Sequence, residues 1–83
     1  MYQFYVFEIQ TYTDGTYGHI VHPVYDTDET AARLKAESKY YEVLAAAAIS
    51  DLPEHGAILV RSNCMPVMNK VFTHIQPEPE PEA

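Results

Sequence analysis

The sequence predicts an α+β domain of ββαββ order: a four-stranded, mainly antiparallel sheet with one long helix packed on one face. Three features carry this. Residues 2–12 and 17–25 are two runs rich in aromatic and β-branched side chains, separated by Thr13-Asp14-Gly15-Thr16. Residues from Asp26 to Leu52 hold alanine, leucine and charged residues at helical spacing, and Pro53 stops them. Two further apolar runs follow, 57–61 and 67–75, with Ser62-Asn63-Cys64-Met65-Pro66 between them.

The first strand, 2–12, has the side chains that fit a pleated, half-buried surface. Asp14-Gly15 favours a two-residue hairpin loop, because both positions tolerate positive φ. In that register Ile9 faces Ile20 and Tyr5 faces Val24. One face then carries Tyr5, Phe7, Ile9, Ile20, His22 and Val24, the expected core side. The other carries Phe4, Val6, Glu8, Gln10, Tyr12, Tyr17, His19, Val21 and Tyr25. Pro23 donates no ladder bond, so its strand belongs at an edge or a bulge.

Asp26 or Thr27 is the expected helix cap. Asp26-x-x-Glu29 has capping-box spacing, and Asp28 and Glu29 suit the positive end of the helix dipole. At 100° per residue, Ala31, Leu34, Tyr41, Leu44, Ala45, Ala48, Ile49 and Leu52 fall on one broad face, the expected contact with the sheet. Gly56 is expected just beyond the helix end. The strand 57–61 reads as buried. In the strand 67–75, Val67 and Val71 compete with Met68 and Phe72 for the core side.

The chain has 83 residues, which makes room for one domain, 1–76, and a tail, 77–83. Alternating Pro and Glu in the tail removes backbone donors and repels itself, so it is expected to stay extended and solvated. Net charge is −7, and Glu78, Glu80 and Glu82 supply three of those charges. The remainder has nine acids against five bases and no basic cluster, which argues against nucleic acid or an anionic membrane as partner. A single cysteine, Cys64, leaves no internal disulfide. Met1–Glu8 lacks a basic leader region, and no run reaches the ~20 apolar residues of a membrane span, so the expected location is cytoplasmic.

Motifs for chemistry are sparse. His19 and His22, three apart on a strand, point to opposite faces and cannot chelate one ion. Cys64 and His74 lack a paired ligand motif, so no metal and no cofactor is expected. Glu8, placed diagonal to His19, is the one acid–imidazole pair that could form a small-ligand or general-base site. No nucleophile motif or glycine-rich phosphate loop accompanies it, and the expectation is that the protein is not an enzyme. The aromatic cluster is the stronger signal. Tyr2, Phe4, Val6, Tyr12, Tyr17, Val21 and Tyr25 form the candidate interface, since tyrosine offers large contact area with a polar tip. A homo-oligomer, most simply a dimer, is the expected use of such a face.

The run Tyr5-Val-Phe-Glu-Ile-Gln10, with Asp14-Gly-Thr-Tyr-Gly18 and Lys39–Ser50, resembles a family of small proteins of gut Firmicutes, often encoded in prophage-like regions. The resemblance spans about residues 4–75 and implies a bacterial or phage setting, with an accessory or virion-assembly role. Asp14-Gly15 and the acidic cap Asp26-Thr27-Asp28-Glu29 are also similar to the HicB-like antitoxins. That similarity implies an inhibitor that binds a protein partner.

Overall fold

The computed structural model describes residues 1–63 and 65–74. Cys64, Ile75 and the Pro-Glu tail, with the expectations attached to them, lie outside the described residues. The element order is β1 (Tyr2–Thr11), β2 (Tyr17–Asp26), α1 (Glu29–Ala48), β3 (Glu54–Arg61) and β4 (Pro66–Thr73). The strands form one antiparallel sheet in the order β2-β1-β3-β4, with α1 on one face. The α+β, ββαββ expectation holds, and Pro23 sits in an edge strand.

The register of the first hairpin differs from the expectation by one residue. Ile9 pairs with His19 and Phe4 with Val24, because the loop holds three residues, Thr13-Asp14-Gly15, between the paired Tyr12 and Thr16. The Gly15 amide donates to the Tyr12 carbonyl at 3.0 Å, and the Tyr12 amide donates to Thr16 at 2.8 Å. Gly15 adopts φ +86°, the left-handed position of a three-residue turn with a bulge, a conformation with little steric cost for glycine. Asp14 Oδ1 accepts from the Thr16 amide at 2.9 Å and from its hydroxyl, which keeps the Asp14 carboxyl below its ordinary range.

The shift exchanges the faces. Phe4 and Val6, expected on the free side, are buried under the helix with Ala57 and Leu59. Tyr5, Phe7 and Ile9, expected in the core, lie on the opposite side.

The helix presents a stripe rotated from the one expected, with Leu44 of the expected face still packed against the core. Ala32, Ala36, Tyr40, Val43 and Ala47 are buried, whereas Leu34, Tyr41 and Ile49 are exposed. The small residues decide this. Three fully buried alanines bring the helix close to the sheet, while a wheel ranked by side-chain size selects the larger leucines and tyrosine. The cap is Asp28, whose Oδ2 accepts from the Ala31 amide at 2.8 Å. Asp26 remains at the end of β2 and supports the turn by accepting from the Asp28 amide at 3.0 Å.

Gly56 lies within β3, opposite both Ile9 and Val71, and not at the helix end. A Cβ there would come within 2.6 Å of Val71 Cα, so only glycine fits. The bulge between Leu59 and Val60 places one extra residue in β4. Val67 and Met68 therefore both touch the core, and Val71 falls on the open side.

Candidate functional site

Three adjacent strands bring three titratable side chains together beneath the helix. Glu8 stands in the middle of β1, with His22 on β2 and His55 on β3 each diagonal to it, paired with Val6 and Gln10. His55 Nε2 lies 2.7 Å from Glu8 Oε2, and His22 Nε2 lies 3.2 Å from Glu8 Oε1. Gln10 donates to Glu8 Oε2 at 3.3 Å, and the Tyr12 hydroxyl donates to Gln10 Oε1 at 2.8 Å. The side chains of Glu8, His22 and His55 are 15%, 25% and 7% exposed.

Burial raises the Glu8 carboxyl, but the hydrogen bonds and charges of His55 and His22 outweigh it and hold the group below its ordinary value. Glu8 is therefore a carboxylate, which only accepts hydrogen bonds, so both imidazoles donate from Nε2. That leaves each Nδ1 for other partners. The Nδ1 of His55 is buried and has no hydrogen-bond partner among the described residues.

The arrangement can orient an imidazole for proton exchange. His22 is the member that reaches an opening, a groove of about 660 Å³ between β2 and α1. Val24 and Leu34 supply apolar lining, and Lys35, Ser38, Lys39 and Glu42 supply polar groups. Lys35 is committed to Asp26 at 2.6 Å, and that bond, aided by the Asp28 amide, holds the Asp26 carboxyl near a pKa of about 2. Lys39 Nζ lies 3.4 Å from the exposed Glu42 carboxylate. Among the described residues, no group of three His, Cys, Asp or Glu side chains has metal-binding geometry.

The sequence-derived pair is corrected in one partner. His19 projects from the opposite face of the sheet, opposite Ile9, so Glu8 meets His22 and His55 in its place. The one-residue hairpin shift is the cause for His22. His55 comes from β3, and its approach to Glu8 depends on the β1–β3 register, a contact 47 residues apart in the chain. No local signal in the sequence marks it.

The seven candidate interface residues do not share one face. Phe4 and Val6 are core residues, and Tyr2 stands on the helix side at the start of β1. The Tyr12 ring folds over Gly18. Tyr17, Val21 and Tyr25 lie together on the open side of β2, and Tyr17 is 81% exposed. Around them the register gathers Tyr5, Phe7, Ile9, Ile58, Val60 and Val71. Among the described residues no element covers this face.

The chain matches no protein-family model, no curated protein and no solved structure. No helix among the described residues is long and apolar enough to cross a membrane.

Proposed function

We infer that the protein is a non-enzymatic interaction module that pairs with a second copy of itself through the open face of its sheet. One observation carries this reading: an apolar face, built from all four strands, lies opposite the helix with nothing over it among the described residues. Its middle holds no Asp, Glu, Lys or Arg, and Glu54 stands only at one corner. A chain of net charge −7 resists association wherever its acids face each other. This face avoids that repulsion. Sheets stacked face to face sit ~10 Å apart, about a Debye length at physiological salt, so acids on the helix sides are screened from each other. Small domains bury a limited fraction of their surface, and a second layer of side chains over Tyr5, Phe7 and Ile58 adds to the core. An assembly of this kind suits the accessory or virion role that the prophage resemblance implies.

The test is mass in solution by light scattering across a concentration series, for the full chain and for Tyr17→Asp. The expected result is a dimer for the parent chain and a monomer for the variant, with unchanged circular dichroism. A parent chain that stays monomeric at all concentrations sinks the reading.

A further inference from the structure

We propose that the groove between β2 and α1 seats the chain's own acidic, proline-rich end, residues 77–83, with Glu80 and Glu82 against the ammonium groups of Lys39 and Lys35. The contact lies within one chain, on the helix side of the sheet, and does not rest on pairing through the open face.

Reach comes first. His74 is tied to the C-terminal end of α1: its Nε2 donates to the Ala47 carbonyl at 2.9 Å, and its amide donates to the Pro53 carbonyl at 2.7 Å. From Ala47 back to Lys35 the helix rises ~18 Å. Alternating Pro and Glu favours the polyproline II conformation, in which the path from His74 to Glu82 covers ~25 Å. The difference leaves room to cross the helix, ~10 Å wide, and enter the groove. No residue between Glu42 and Asp51 is charged, so that stretch of α1 offers the carboxylates nothing that repels them.

Spacing agrees with reach. Alternate residues of a polyproline II segment repeat at ~6.2 Å, and residues four apart on an α-helix repeat at ~6 Å. Glu80 and Glu82 therefore stay in step with Lys39 and Lys35 when the segment runs antiparallel to α1. Pro23, Val24 and the 61% exposed Leu34 give the lining an apolar surface for the proline rings. A proline-rich segment loses little backbone freedom on docking, because its φ is already fixed.

Charge selects this surface over the others. Lys35 is bonded to Asp26 at 2.6 Å, and Glu42 lies on the lining 3.4 Å from Lys39. These two lysines and two acids cancel, so the net −4 of residues 1–76 comes from the seven acids and three bases elsewhere. An acidic segment meets less repulsion here than over the rest of the surface. The Glu42 side chain is 71% exposed and can turn to water while another carboxylate takes Lys39, an exchange between exposed pairs that costs little. Lys35 keeps Asp26 and offers its remaining N–H donors. His22, also on the lining, stays with Glu8 through Nε2 and takes no part in the contact.

The experiment is paramagnetic broadening by NMR on the full chain, with Cys64→Ser and Ala83→Cys so that one nitroxide sits at residue 83. The isotope-labelled, spin-labelled chain is diluted into a large excess of unlabelled chain, so broadening arises within one molecule whether or not the chain dimerises. The amides of Leu34, Ser38 and Lys39 are expected to lose most of their intensity, and those of Lys70 and Thr73 on β4 to keep theirs. Adding Glu80→Gln and Glu82→Gln is expected to restore the groove signals at unchanged circular dichroism, and Leu34→Asp, at an exposed position, to do the same. Broadening on β4 without broadening at the groove, or none beyond residues 75–83, overturns the proposal. Groove broadening that survives Glu80→Gln and Glu82→Gln overturns it too, because the carboxylates would then not hold the segment.

Discussion

The two faces of the sheet use similar residues in opposite ways. On the helix side, Phe4, Val6, Ala57 and Leu59 meet the buried Ala32 and Ala36, and a carboxylate with two imidazoles sits at the margin of that contact. On the open side, Tyr5, Phe7, Ile9 and Ile58 are only half-covered, although Val60 among them is buried by its neighbours. Hydrophobic content does not separate the two faces, since both are apolar. What separates them is the size of what can approach. Alanines on α1 permit close packing above one face, and the other, with its bulky rings, is left uncovered among the described residues. Polar groups follow the same division, because a buried carboxylate is tolerated only where partners are fixed in place.

The comparison breaks most visibly at neighbouring residues of β3. Leu59→Ala removes a fully buried side chain and is expected to cost about 2–5 kcal/mol in urea unfolding of the dilute protein. Ile58→Ala, one residue away on the open face, is expected to cost about 1 kcal/mol or less under the same conditions. Equal costs for the two would mean that both faces are equally covered.

Glu8→Gln tests the polar margin. Losing the charge that two imidazole donors share is expected to cost about 1.5–3 kcal/mol. The folded carboxyl lies below its ordinary value of 4.5, so its stabilisation is present above that pH and is lost as pH falls through the folded value. The parent chain is therefore expected to lose stability on acidification, and Glu8→Gln to lose less over the same interval, as read by denaturant unfolding at stepped pH.

Gly15→Ala sharpens the comparison through register. The left-handed φ of +86° is expected to make this change cost about 1–2 kcal/mol. A cost near zero would mean that the loop is not what holds Phe4 and Val6 beneath the helix. The smallest stability effect belongs to Tyr17→Ser, within about 0.5 kcal/mol, while its effect on association is expected to be complete. Loss of stability without loss of association would reverse the roles assigned to the faces.

Much of the fold was legible because it rests on local signals. The aromatic runs, the Asp14-Gly15 turn, the acidic helix start and the stop at Pro53 each act within a few residues. The core faces were not legible, and the reason is quantitative. A two-residue and a three-residue loop both accommodate Asp-Gly, and the choice between them shifts the pairing by one position. On α1, size misled, because Leu34 and Tyr41 outrank Ala32 and Ala36 in apolar area but cannot fit against the sheet at that distance. The site was half legible: Glu8 was found, and its partners followed the register to His22 and His55.

The sequence by itself determined the element types, their order and the hairpin positions, because backbone preference and turn chemistry are set by neighbours in the chain. Only the tertiary structure decided which face of each element is buried, that Gly56 lies between two strands, and that Glu8 has two imidazole partners. Those outcomes depend on strand register and on how closely α1 approaches, which are settled when residues as distant as Glu8 and His55 are packed against each other.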